Sequence, residues 1–188
     1  GGPGPSLAGQ LSMSGERLAN WLRDVDIAAL DAPFEVKGAL EGSAQSLRLD
    51  GLTASLGSTQ LAGNFELSGE GLKDARFDLR GQIDDLSGLI PPNTDYRPAA
   101  RNLDIQIEGR HRPGTLDLEQ FQASIGELKA SLSGRLQHEA VWSAHQLRLD
   151  ASGPRLSDLG TFGDYTPPDQ PFTLKAAIDG DAKTQHFG

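Results

Sequence analysis

The chain has 188 residues, a formal net charge of −9 at pH 7, no cysteine and only 6% aromatic residues. Its acidic residues are scattered, and no basic cluster is present, which disfavours nucleic acid and anionic membrane surfaces as partners. The lack of cysteine excludes a disulfide framework and a thiolate site, but it leaves the compartment open. No run of ~18 apolar residues occurs, so a membrane-spanning helix is not expected within this sequence.

In chain order, the elements recur about every 70 residues, which is the signature of a repeat architecture. The sequence of residues 1–30 predicts a linker followed by the tail of an earlier copy of the repeat. Clear restarts occur at Pro33-Phe34 and Pro171-Phe172, which are 138 residues apart, and a fainter restart follows Pro98. We therefore predict one β-repeat over 31–98, a second over 99–168 and the start of a further copy over 169–188. The repeats are expected to share one continuous sheet, in a fragment of a longer protein.

Within each unit, apolar and polar residues alternate, which is typical of strands with one apolar and one polar face. Short glycine-rich turns separate these strands, and their spacing predicts antiparallel hairpins. Helical spacing is brief, at Leu18/Trp21/Leu22, Leu86/Leu89/Ile90 and Leu156/Leu159/Phe162, and each could cover the sheet for about two turns. The predicted fold is therefore mainly β: a curved, twisted sheet of repeated antiparallel strands that forms an open, taco-like groove, with short helical turns between repeats.

Residues that could carry chemistry are few. The histidines are far apart in sequence, so they assemble neither a zinc site nor a catalytic triad, and we expect them on the surface. Paired carboxylates such as Asp84/Asp85 are better explained by helix capping than by acid/base work or calcium binding. We therefore expect no catalytic residue, no metal, no cofactor and no enzymatic activity. A hydrolase or carbohydrate-active protein ranks last, because aromatic sugar platforms are scarce.

The apolar stripe along the strands is the candidate site. Any single member is more simply read as an ordinary core residue, whereas the functional interpretation is collective, with lipid acyl chains replacing a second layer. The candidate groove residues are Phe34, Val36, Leu47, Leu49, Leu61, Phe65, Leu67, Phe77, Leu79, Leu103, Ile105, Ile107, Leu116, Leu118, Leu147, Leu149, Phe172 and Leu174.

The order of motifs resembles the AsmA-like and TamB-like proteins of Gram-negative bacteria. The resemblance rests on Leu-Arg-Leu-Asp-Gly-Leu-Thr-Ala-Ser-Leu-Gly at 47–57, Leu-Ala-Gly-Asn-Phe at 61–65 and Asp-Asp-Leu-Ser-Gly-Leu at 84–89, followed by a proline-led restart. It covers most of residues 31–180. These proteins are bacterial relatives of the bridge-like lipid transfer proteins, so the resemblance implies a periplasmic β-groove whose parent is anchored in the inner membrane by a helix outside this fragment.

The predicted function follows from the stripe and the resemblance together. We expect the fragment to shield phospholipid acyl chains during transport between the inner and outer membranes, which would support outer-membrane homeostasis. Its expected partners are these acyl chains, the membrane through the outside anchor, and possible partner proteins at the ends of the groove. The alternative is a structural or protein-interaction module whose sheet edge pairs with another chain and which binds no lipid.

Overall fold

A computed structural model describes residues 6–17, 32–86, 90, 94–138, 142–181 and 184–187. Strands dominate this part of the chain, and only short 3-10 turns accompany them, so the predicted mainly β fold is confirmed. The strands are β1 Leu7–Gly15, β2 Phe34–Gly42, β3 Ser46–Leu56, β4 Thr59–Ser68, β5 Asp74–Ile83, β6 Tyr96–Arg97, β7 Leu103–Arg112, β8 Thr115–Ile125, β9 Leu128–His138, β10 Trp142–Gly153, β11 Thr161–Phe162, β12 Phe172–Asp181 and β13 Thr184–Phe187.

Eleven of the described strands form one antiparallel sheet in the order β1-β2-β3-β4-β5-β7-β8-β9-β10-β12-β13. The sheet is not closed. The two remaining strands, β6 and β11, pair with each other in a small second sheet. Strands of both predicted repeats therefore continue one another in the main sheet, with β5 of the first unit next to β7 of the second.

Tight turns containing glycine join several neighbouring strands. Residues 57–58, 113–114 and 126–127 each link two long strands with only two residues between them. Gly57, Gly114 and Gly126 have φ values of 57°, 77° and 59°, which favour glycine because it carries no Cβ. The predicted hairpins follow from this local chemistry.

Two bulges interrupt the alternation at equivalent points of the two repeats. The register of β3 against β4 shifts between Leu49 and Leu52, and that of β8 against β9 shifts between Leu118 and Phe121. Each bulge inserts an extra residue and returns the next apolar side chain to the same face. β8 runs through its bulge without a break, from Thr115 to Ile125.

The structure also repeats the joint between units. Phe34 pairs with Gly15, and Phe172 pairs with Gly153. In both pairs the aromatic ring lies where a Cβ on the glycine would be, within 3.0 Å. Each residue of the second pair follows its counterpart by 138 residues, as the two restarts do. Glycine at these two positions therefore lets a phenylalanine ring cover the neighbouring strand.

Helical structure is shorter than the sequence spacing predicts. Leu156–Leu159 forms a single 3-10 turn, which ends at Gly160, and Phe162 lies in β11 rather than on a helix. The prediction of a second helical turn is wrong here, because Thr161 and Phe162 pair with Arg97 and Tyr96, which are distant in sequence. The predicted helix at 18–22 and most of that at 86–90 lie outside the described residues.

The chain exposes much more surface than a compact protein of its mass. Its accessible surface is 12556 Å², whereas a compact monomer of 20.0 kDa exposes about 8,700 Å². A sheet packed face to face against a second layer would lower this value. The excess fits a single open layer.

Candidate functional site

All eighteen predicted groove residues lie on one face of the main sheet. The register places Val36 opposite Ala54, Ala54 opposite Leu61, Leu61 opposite Gly81 and Gly81 opposite Ile105. The other predicted residues follow the same parity once the bulges in β3 and β8 are counted. We call this side of the sheet the apolar face. The sequence thus predicts correctly which side chains share a face.

The apolar face carries almost no polar group. From β1 to Ile178 of β12, every residue that the register assigns to this face is apolar or glycine, except Thr59, His111 and His138. No Asp, Glu, Lys or Arg in the described part of these strands shares the face. His111, expected on the surface, is half-buried opposite Ala75. The face is therefore continuous across ten strands.

The buried large side chains of this face lie at one end of the strands. Phe34, Ile83 and Leu128 are each 5% exposed, and they belong to the last apolar row before the loops at 84–102 and 154–171. Most of the other large side chains on the face are half-buried, and Leu174 on β12 is 48% exposed. A core forms only at this end, and the rest of the face has no fully buried side chain among the described residues.

The two loops cover this end in equivalent ways. The backbone N–H of Leu86 donates to the carbonyl of Arg101 over 2.8 Å, and that of Leu156 donates to the carbonyl of Gln170 over 2.8 Å. Leu86 is 8% exposed, so the loop adds its side chain to the core. The same backbone bond therefore recurs at Leu86 and Leu156, which are 70 residues apart in the sequence.

An aromatic contact joins the loop of one repeat to that of the next. The rings of Tyr96 and Phe162 stack with their centroids 4.9 Å apart, and the Tyr96 hydroxyl donates to the carbonyl of Leu159 over 2.7 Å. Burial raises the pKa of Tyr96 because the charged phenolate is disfavoured away from water. The two loops are therefore joined by noncovalent contacts through β6 and β11.

The opposite side of the sheet, the polar face, borders an open cavity of about 1070 Å³. Residues of nine strands border this cavity with side chains that alternation places on the polar face. Each strand contributes one or two of these side chains, and together they form two neighbouring rows across the sheet. Of the eighteen predicted residues, Leu61 and Ile105 border it, and alternation turns their side chains away. The residues assigned to the cavity by alternation are Glu35, Thr53, Ser55, Gln60, Ala62, Arg80, Gln82, Asp104, Gln106, Gln122, Ser124, Lys129, Ser131, Asp150, Ser152, Thr173 and Lys175.

The polar face carries exposed ion pairs. Lys37 and Glu35 lie 2.7 Å apart, and the Arg48 guanidinium lies 2.8 Å from the Asp50 carboxylate. The hydrogen bond from Arg48 to Asp50, followed by their charge attraction, raises the pKa of Arg48. Exposed pairs of this kind contribute little to stability. Their consequence is that this face stays solvated while the other stays apolar.

The described residues contain no group of three or more His, Cys, Asp or Glu side chains placed to hold a metal ion. Asp84, one of the predicted capping residues, accepts a hydrogen bond from Gln82 over 3.2 Å. No described helix has the length and apolar character needed to cross a membrane. The absence of a cofactor and of catalysis stays a prediction.

No protein-family model, curated protein or solved structure matches the chain. The resemblance to the AsmA-like proteins stays a prediction that rests on the order of the sequence motifs. The sequence did not indicate the cavity on the polar face. Alternation shows which residues share a face, but it does not show toward which face a sheet curves.

Proposed function

We propose that the apolar face shields the acyl chains of phospholipids. The observation that carries the proposal is a face without a charged residue, which continues over ten described strands and buries large side chains at only one end. Lipid tails would take the place of the missing second layer. No single residue acts as a catalyst, because the function requires only that apolar surface leave water.

The size of the face supports this proposal. Ten strands about 4.8 Å apart, each contributing about five side chains that repeat every ~6.8 Å, cover on the order of 1,600 Å². The largest apolar patch on a typical soluble monomer is about 300–600 Å². A patch several times larger needs an occupant, because its exposure to water is unfavourable.

The scarcity of polar groups favours lipid over a protein occupant. Protein interfaces contain roughly one hydrogen bond per 100–200 Å² of buried surface. A protein covering this face would therefore need several polar partners, whereas the register supplies only Thr59, His111 and His138. Acyl chains require none. This is why the alternative, an interaction module that covers its apolar face with protein, ranks second.

The resemblance to the AsmA-like proteins extends the proposal to a cellular location. The fragment would work in the periplasm, in phospholipid transport between inner and outer membranes, with its parent anchored in the inner membrane. The transport would be passive, with tails sliding along the apolar face. Any direction would come from partner proteins at the ends of the sheet.

The test compares Ile105→Asp with Gln106→Asp in protein expressed in a Gram-negative periplasm. Ile105 lies on the apolar face over Gly81, whereas Gln106 lies on the polar face opposite Arg80. Native mass spectrometry with organic extraction should find phospholipid on the wild-type chain and on Gln106→Asp. We expect loss of lipid from Ile105→Asp with the β circular dichroism spectrum retained, because a carboxylate among acyl chains is costly to desolvate.

Two results would contradict the proposal. A wild-type chain that purifies as a stable, lipid-free protein and takes up no phospholipid from vesicles would show that protein fills the face. Unfolding of Ile105→Asp would assign that position to a protein core. Leu79→Asp, on the neighbouring row of the same face, then provides the second variant, and unfolding there as well would favour the interaction module.

A further inference from the structure

The two ends of the strands differ in the polar groups that they place on the apolar face. The closed end lies beside the loops at 84–102 and 154–171, and the open end lies beside the turn at 113–114. Thr59, opposite Ile83, belongs to the closed end. The register places His111 and His138 at the open end. The described histidines of this face therefore share one end of the sheet.

His111 is a polar side chain among apolar neighbours. It is half-buried, and the residues directly opposite it on the two adjoining strands are Ala75 and Leu116. Among the described residues, it has no hydrogen-bond or ion-pair partner. A layer of acyl chains over this position would take the imidazole out of water without offering it an acceptor, which is unfavourable. An occupant of the face should therefore present a polar group to His111.

The charge of the open end favours an anionic group there. Ala75, His111, Leu116 and Leu136 form one row across four strands, and this row with the residue on either side of each member contains four arginines and two aspartates, a net charge of +2. The row at the closed end of the same strands, counted over 82–84, 102–104, 124–126 and 127–129, contains three acidic residues and one lysine, a net charge of −2.

Two of these arginines, Arg110 and Arg112, flank His111 in the sequence and form no ion pair with another described residue. Alternation places both on the polar face, so they act on the apolar face through their field across a single layer of sheet. The sequence does not display this cluster, because its members come from β5, β7 and β9. An anion beside His111 would therefore lie in a favourable potential.

The length of the face matches a lipid whose polar part lies at the open end. Side chains on one face of a strand repeat every ~6.8 Å, so His111 and Ile107 are about 14 Å apart along β7. One layer of lipid tails is about 15 Å thick, which is half of the hydrocarbon core of a bilayer. Tails that begin at His111 would end near Ile107, before the buried row at Ile83 and Leu128.

We propose that bound phospholipids lie with their tails parallel to the strands and their phosphate at the open end, where the His111 imidazole donates a hydrogen bond to a phosphate oxygen. The inference rests on the proposed function, because it requires acyl chains on the apolar face. His111 is a positioning residue that orients the lipid. A lipid that moves from strand to strand then keeps its head group at the same end of the sheet.

A competition between two lipids with the same tails tests the contact. The chain is equilibrated with nonionic detergent micelles that contain equal amounts of dioleoyl phosphatidate and dioleoylglycerol, and the lipids bound after removal of the micelles are extracted and counted. The wild type should prefer phosphatidate by about tenfold or more, since a hydrogen bond to a charged group accounts for a factor of this size. His111→Leu should lose that preference and still bind dioleoylglycerol.

Two further variants separate the contact from a general effect on the sheet. Gln106→Leu makes the same kind of change on the same strand, but on the polar face opposite Arg80, and it should keep the wild-type ratio. His111→Gln retains an N–H donor, so it should recover part of the preference that His111→Leu loses.

The orientation is measured with the native His111 in place. The chain has no cysteine, so Pro113→Cys and Glu127→Cys each give a single spin-labelling site in the two-residue turns at the opposite ends of β8. β8 is about 34 Å long. Double electron–electron resonance to a phospholipid labelled on its head group should give a distance about 15 Å or more shorter from position 113 than from position 127.

The outcomes distinguish this inference from the proposed function. If lipid is bound but His111→Leu keeps the wild-type ratio, or if the head-group label lies equally far from both turns, the orientation is wrong and acyl shielding stands. If the wild type binds neither lipid, both are wrong. Should His111→Leu fail to fold, His111→Gln and the label distances decide the question.

Discussion

Replacement of Gly134 by alanine tests how closely the strands of the sheet approach one another. Gly134 lies in β9 opposite Leu118 and Leu147, and its φ is 136°. A Cβ at this position would lie 1.6 Å from the carbonyl oxygen of Gln146 and 2.9 Å from the Cα of Leu147. Both atoms belong to the backbone of β10, so no side-chain rotation can relieve the overlap.

The expected loss of stability has two parts. A non-glycine residue at this φ is strained by about 1–3 kcal/mol. Separating β10 from β9 locally removes one or two backbone hydrogen bonds, each contributing about 0.5–1.5 kcal/mol. Gly134→Ala should therefore lower the free energy of unfolding by about 1.5–6 kcal/mol. In a domain of this length, the midpoint of thermal unfolding falls by about 2–4 °C per kcal/mol.

Gly126→Ala is the matched control. Gly126 also has a positive φ, of 59°, but its nearest contact would be the Ala100 Cβ at 3.8 Å. Alanine in this left-handed conformation costs about 1–2 kcal/mol. Urea titrations followed by far-UV circular dichroism should rank wild type above Gly126→Ala and Gly126→Ala above Gly134→Ala. Equal losses in the two variants would refute the close approach of β9 and β10.

Two smaller changes test the loops and the polar face. Because burial raises the pKa of Tyr96, the contribution of its neutral form to stability is complete below about pH 10, the usual tyrosine value, and is lost as the pH rises through the raised pKa. Thermal melts of Tyr96→Phe at increasing pH should therefore lose this part of the alkaline decline in stability. A pH profile identical to that of the wild type would contradict this assignment. Asp117→Asn removes the carboxylate that accepts from Arg135 and should cost less than about 1 kcal/mol in urea titrations; a larger loss would show that the pair is more than a surface contact.

Much of the fold could be predicted from alternation alone. Phe34 and Val36, or Ile105 and Ile107, stand two residues apart, and successive strand residues point to opposite faces. Glycine-containing turns such as 113–114 then fix antiparallel neighbours. The repeat added the prediction that strands of both units continue one sheet. These features are local or periodic, so one sequence is enough to display them.

Other features depend on contacts between distant residues. The bulges at 50–51 and 119–120 break the alternation, and an i, i+3 spacing such as Leu49 and Leu52 does not by itself distinguish a bulge from a strand end. The turn at 156–159 stops early because Phe162 pairs with Tyr96. The cavity on the polar face is bordered by residues of nine strands, so it depends on the arrangement of the whole sheet. None of these has a signature within one segment.

The contact of Phe34 with Gly15 and of Phe172 with Gly153 has a consequence for how such a chain changes length. Because the two joints are equivalent, removing the 138 residues from Phe34 to Pro171 would place Phe172 after Gly15 and the intervening linker, in the position that Phe34 now occupies. Insertion of the same stretch would create another equivalent joint. Duplication or deletion of this 138-residue unit in the gene can therefore lengthen or shorten the sheet while every joint keeps the same phenylalanine–glycine contact.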